Sequence, residues 1–244
     1  MRITQILQNV AHRPWEISHK PWRFYQEWNN AVFLHWKVSP EVIHPLIPST
    51  VKLDTFRGEA WVSLVAFTME KLRVSYLPAV PGISNFHEIN LRTYVTRDNK
   101  PGVYFLSIEA QKLLAVLIAK NISGLPYKKA LIKRDNKGKA SRYSSVNAIK
   151  GFVLDSIYEA GEQEYERAPL DKWLVERYCL YLDRHERLFR YDIHHLQWEI
   201  RKIDVKHLNL QYKVGDLVIK EKQPDLSHFS PGVKVLAWPR ISVS

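Results

Sequence analysis

Residues 88–108 read EINLRTYVTRDNKPGVYFLSI, and this stretch decides the fold class. Glu88–Thr96 alternates in polarity, Asp98-Asn99-Lys100-Pro101-Gly102 has turn chemistry, and Val103–Ile108 runs back. That is the signature of a β-hairpin. On a strand, successive side chains point to opposite faces. Glu88, Asn90, Arg92 and Tyr94 therefore share one face, and Ile89, Leu91, Thr93 and Val95 the other. Two placements of the polar row are open. Facing water, it is ordinary amphipathic patterning, which the pattern alone favours. Facing a lumen, it is a pocket wall: Arg92 binds a carboxylate, Glu88 moves protons, and Asn90 and Tyr94 add ligand contacts.

The surrounding chain repeats this strand-rich reading. Ala31–Val38 reads as a buried strand, followed by a short helix that Ser39 caps, Pro40 opens and Pro45 and Pro48 close. Val51–Asp54, a turn at Phe56-Arg57-Gly58-Glu59 and Ala60–Met69 read as a second hairpin, whose second strand is apolar on both faces and so covered on both. Leu77–Phe86 is a loop. Gln111–Asn121 reads as a helix with Leu113, Leu114, Leu117 and Ile118 on one side, ended by Gly124-Leu125-Pro126. A strand near Gly151–Ile157 and a helical turn at Pro169–Val175, capped through Asp171, come next. Then follow a hairpin from Arg177–Leu182 to Leu188–His194, a short helix at Asp204–Asn209 and a last strand at Gly232–Trp238. Strands follow strands with few helices between them. The expected class is α+β, mainly antiparallel, built on a curved sheet or barrel rather than a doubly wound sheet. The 244 residues read as one domain, 1–244, with an irregular Pro- and Trp-containing arm at about 1–25.

Composition narrows the function classes. The formal net charge is +11. Residues 128–142, KKALIKRDNKGKASR, hold seven Lys and Arg against Asp135 alone. This segment reads either as a solvated edge hairpin whose lysines discourage aggregation or as an anion-binding surface. No helix-turn-helix, zinc-finger or RNP motif accompanies it, so nucleic acid is not the expected partner. The single Cys179 excludes a disulfide framework. The longest apolar run, Leu113–Ala119, is too short to span a bilayer, and no signal-peptide pattern opens the chain, so a cytoplasmic location and no membrane partner are expected. There is no Walker loop, GxGxxG, GxSxG or HExxH, and His194 and His195 point apart on a strand. No cofactor and no metal are expected.

Residues 124–129, GLPYKK, offer lysine chemistry. A lysine attacks a carbonyl only as the free amine, and a neighbouring cation or an apolar pocket favours that form. The alternative is two exposed charges on a strand.

Several segments occur together in one order: HRPW at 12–15, residues 33–67, PAVPGISNFHEINLRTYV, DNKPGVYFLSIEA, GLPY and HFSPGVKVLAWP. From about Arg13 to Pro239 the chain resembles the YqjF-like family of bacterial proteins, and more distantly the acetoacetate decarboxylase-like superfamily. The resemblance implies a closed, cone-shaped antiparallel barrel with outer helices, an internal pocket, a homo-oligomer, and a small organic acid or carbonyl compound as ligand. It matches Glu88 to a pocket glutamate. The decarboxylase motif runs Gly-Phe-Pro-Lys-Lys, its first lysine forming the Schiff base. Here Tyr127 stands in that place and Lys128 in that of the activating neighbour. The resemblance implies Glu88, Tyr127 and Lys128 as the catalytic set; the strand pattern itself supplies Arg92, Asn90 and Tyr94 as expected ligand contacts, with Lys129 beside them. If Lys128 or Lys129 turns inward, Schiff-base lyase chemistry (decarboxylation or dehydration) is open; a non-catalytic binding module is the alternative.

Overall fold

The computed structural model describes residues 2–112, 124–137 and 139–243. The stretch 88–108 forms β4 (Phe86–Arg97) and β5 (Lys100–Ala110), an antiparallel hairpin. Asp98 and Asn99 join them with φ of 52° and 57°, the left-handed pair that a two-residue hairpin turn demands. β3 (Ala60–Val74) pairs with the other edge of β4, and β1 (Phe24–Val38) with β3. β14 (Leu226–Ala237) lies beside β1. On the far side, β10 (Cys179–Arg184) runs parallel to β5 and leads into β11 (Arg187–His194). Pairing of Ile193 with Ala237 and of His194 with Leu236 joins β11 to β14 and closes the ring. The result is a mainly antiparallel barrel, as the strand succession predicts.

Beyond β14 the sheet continues through β12 (Arg201–Val214), β9 (Phe152–Glu164) and β8 (Ala140–Asn147) to β7 (Leu131–Lys137) at its edge. This extension folds over the outside of the barrel. Ile132, Tyr143, Leu154 and Leu210 pack there against Leu34, Leu64, Ile89 and Leu91 from the outer faces of β1, β3 and β4. That cover explains why β3 is apolar on both sides. Leu64 and Leu91 have no solvent exposure, and truncation of either to alanine costs about 2–5 kcal/mol. The opposite face of the same strands lines the barrel interior with Phe33, Val65, Phe67 and Tyr94. α3 (Pro169–Val175) lies against this interior, its first turn tied by Asp171 Oδ2 accepting from the Ala168 amide at 2.8 Å.

Three local expectations change. Asp204–Asn209 belongs to β12, not to a helix. Val205 and Leu208 are three apart, a helical spacing, because the register shifts between Val205 and His207; the extra residue of a bulge mimics a helical period. The strand at Lys52–Leu53, β2, pairs with β4 rather than β3, at Val95 and Thr96, where β4 runs past the end of its ladder with β3 at Thr93; only Phe56 and Glu59 bridge the expected turn. The N-terminal arm carries a helix, α1 (Ile3–Gln8), with Ile6 fully buried. The helix expected at Gln111–Asn121 lies, from residue 113 onward, outside the described residues.

Candidate functional site

The polar row of β4 looks into the barrel. Glu88, Asn90, Arg92 and Tyr94 are each 8% exposed or less. The first three line a hollow of about 110 Å³ with apolar side chains such as Phe33, Val65, Phe67, Ile108 and Trp198. Opposite them stands Tyr127 on the short strand β6 (Tyr127–Lys129), which runs parallel to β5. Ile108 faces Asn90 on one side and Tyr127 on the other, so β5 holds the two walls at a fixed register.

Hydrogen bonds give the hollow two ends. At one, Tyr127 Oη donates to Glu88 Oε2 at 2.9 Å, and Asn90 Nδ2 donates to Oε1 at 3.3 Å. Burial pushes the Glu88 carboxyl up to about 7, although both hydrogen bonds favour its ionised form. Burial and the neighbouring carboxylate hold the Tyr127 hydroxyl far above its ordinary range, so it remains a donor. At the other end, the Arg92 guanidinium is buried without a carboxylate partner among the described residues. Nη2 donates to the Leu174 carbonyl at a long 3.4 Å, and the Tyr94 side chain lies beside the guanidinium. Burial lowers its pKa, and the nearby Arg177 adds to the effect. Among the described residues, Arg92 Nε, Asn90 Oδ1 and Arg177 Nη2 are buried without a hydrogen-bond partner. Unsatisfied buried groups of this kind are costly and call for an explanation.

Arg177 and His195, which no sequence signal marked, also line the hollow. Arg177 is held by Asp54 at 2.6 Å and by the Trp173 carbonyl. His195 donates from Nδ1 to the Leu196 carbonyl at 2.7 Å, and burial keeps its pKa down at about 4, so the ring is neutral. With Glu88 partly protonated near neutrality and Asp54 offsetting Arg177, the charge of Arg92 is left over. The hollow favours an anion.

Three expected site residues stand elsewhere. Lys128 and Lys129 are exposed; Lys128 points away by strand alternation, and Lys129 lies at the end of β6, beyond the hollow. No lysine lines the hollow among the described residues. Tyr94 is buried beneath it rather than in its wall. Its hydroxyl donates to the Leu174 carbonyl at 2.9 Å and lies 2.5 Å from Ser63 Oγ. Ser63 continues to His35, His228 and Asp171 through contacts of 2.6, 3.1 and 3.0 Å. Tyr94 thus shares an acceptor with Arg92 and props it. No group of three or more potential metal-ligating side chains occurs among the described residues.

The model of the DUF2071 family, described as an uncharacterized conserved protein, matches residues 25–234. The chain belongs to this family. The uncharacterized protein YqjF of Bacillus subtilis (strain 168) is 37% identical over 222 residues, covering 89% of this chain and 91% of that protein. Among solved structures, the enduracididine biosynthesis enzyme MppR complexed with pyruvate superposes with a TM-score of 0.64 at 12% identity, covering 95% of this chain and 93% of its own. Acetoacetate decarboxylase from Legionella pneumophila gives 0.61 at 15% identity, covering 100% and 96%. At such identities these two show the fold: this DUF2071 member has the acetoacetate decarboxylase-like barrel.

Proposed function

We propose that the protein binds a small organic acid or carbonyl compound inside the barrel, with a carboxylate on Arg92 and a carbonyl toward Glu88 and Tyr127. The observation that carries this reading is the buried guanidinium of Arg92 with no acidic partner among the described residues. A carboxylate there replaces the lost hydration of Arg92 with charge-assisted hydrogen bonds. Glu88, poised at about 7, suits proton transfer in either direction near neutrality. Tyr127 supplies a hydrogen bond to Glu88 or to a developing oxyanion. Four strand residues separate Glu88 from Arg92, about 13 Å between Cα atoms at the rise of a β-strand. A ligand that touches both therefore has intervening carbons between carboxylate and carbonyl. Chemistry through Lys128 or Lys129 is not part of this reading, since both lie outside the hollow.

Titration calorimetry with pyruvate, acetoacetate and levulinate tests it. Arg92→Met weakens binding by about tenfold to a hundredfold, the range of a charge-assisted hydrogen bond, and levulinate binds best of the three. Equal affinity in wild type and Arg92→Met removes the reading. A non-catalytic carrier or sensor is the second reading, favoured by the lack of a lysine among the described lining residues. Proton NMR in D2O separates the two. Exchange at carbons next to the carbonyl that stops in Glu88→Gln supports an enzyme; no exchange with undiminished binding supports the carrier.

A further inference from the structure

A second hollow, of about 230 Å³, lies under the loop between β3 and β4 and is walled by apolar side chains that include Leu72, Val74, Ile83 and Phe86. Its polar groups are already engaged. The Arg73 guanidinium lies over the Tyr25 ring at 3.8 Å, and Ser84 Oγ accepts from the Val80 amide at 2.7 Å. At the rim, Leu77 is 62% exposed and Val80 is 53% exposed, an apolar edge left in water. Five side chains, Phe24, Gln26, Met69, Leu125 and Tyr127, line both this cleft and the polar hollow. The two spaces are thus neighbours across a common wall. Met69, unbranched and adaptable, is suited to move aside there.

The elements also set the order of the chemistry. Along β4, Phe86 borders the cleft, Glu88 comes next and Arg92 lies farthest along the strand. From Phe86 to Arg92 is six strand residues, about 20 Å. Along that line the surroundings pass from aliphatic, through a proton donor and acceptor, to a cation. That succession fits an elongated amphipathic molecule and not a compact polar one.

We infer that the ligand is an organic acid with an aliphatic tail: its carboxylate meets Arg92, and its chain passes Glu88 and Tyr127 and lies in the cleft under residues 75–85. This rests on the acid-binding reading above and adds the chemical class of the ligand's other end. The tail covers apolar surface that is otherwise wet, at about threefold to fourfold in affinity for each methylene it buries.

Calorimetry on the full chain with butanoate, octanoate, dodecanoate and hexadecanoate, all below micelle concentrations, tests the inference. In wild type, affinity climbs steeply with length once the chain passes the common wall. Leu77→Asp/Val80→Asp, and more mildly Leu77→Ser/Val80→Ser, lose that climb and leave butanoate binding unchanged; both sites are exposed, so the fold is retained. Dodecylamine, with its cationic head facing two guanidinium groups, does not bind. Equal affinity for butanoate and hexadecanoate overturns the tail while leaving acid binding intact. A climb that survives in both double variants overturns the cleft as its place. Binding of no acid at all, or binding indifferent to Arg92→Met, defeats the acid-binding reading and this inference with it.

Discussion

Replacing Glu88 by glutamine makes the protein more stable at alkaline pH and changes little near pH 5. The carboxyl is raised to about 7 by burial, whereas in the unfolded chain it titrates near its ordinary value of 4.5. Between those two values the folded state holds a proton that the unfolded state has released. Stability therefore falls as pH rises through this window and levels off above it. At 1.36 kcal/mol per pH unit, the carboxyl costs the wild type up to about 3 kcal/mol at about pH 8. Glutamine carries no charge at any of these pH values, and its amide oxygen still accepts from Tyr127. For a chain of this size such a difference is about 6–12 °C in Tm. Glu109 and Glu176 are also raised by burial, but they are common to both proteins and cancel in the difference. Urea or thermal unfolding of wild type and Glu88→Gln at intervals from about pH 5 to about pH 8.5 measures it. Stability curves that run parallel across the whole range refute the claim that Glu88 is buried and raised.

Tyr127→Phe removes a hydrogen bond that favours the ionised carboxylate, so the pH window of the same unfolding comparison moves further up; an unmoved window contradicts the Tyr127–Glu88 contact. Arg92→Met, while losing ligand affinity, keeps or raises Tm, because it replaces an unpaired buried cation with an apolar chain of similar volume; a loss of more than a few degrees in thermal unfolding argues that Arg92 has a strong internal partner. Gly232→Ala destabilises by about 2 kcal/mol or more in urea unfolding, because φ is +136° and a Cβ there meets the Trp28 carbonyl oxygen at 2.4 Å; an unchanged midpoint contradicts the close approach of β14 to β1 where Gly232 pairs with Asn29.

The hairpin 88–108 and the double-faced β3 carried most of the fold, because period-two alternation and a D-N turn are local signals. Closure of the ring by β11 and β14, and the folding of β12–β9–β8–β7 over the barrel, are long-range pairings that no local pattern encodes. The same gap explains the orientation of the polar row. Sequence showed that Glu88, Asn90 and Arg92 share a face; only the cover over Ile89 and Leu91 decides that the other face is inside. Tyr127 was legible by resemblance, but its neighbours Lys128 and Lys129 were not separable from it until the edge position of β6 was known. Arg177 and His195 reach the hollow from segments flanking β10 and β11, with nothing in their local sequence to mark them. The basic segment 128–142 spends part of its charge internally: Arg134 donates to the Asn30 carbonyl and Tyr158, and Arg142 pairs with Asp155 at 2.6 Å.

The central claim is that the inward polar row of β4 forms one wall of an enclosed site for an acid. A crystal structure of the complex with levulinate tests it most directly. The carboxylate is expected within hydrogen-bond reach of Arg92, with the carbonyl oxygen facing Glu88 and Tyr127. A ligand found instead on the exposed arginines Arg184 and Arg240, or joined covalently to a lysine with the barrel interior unchanged, contradicts it.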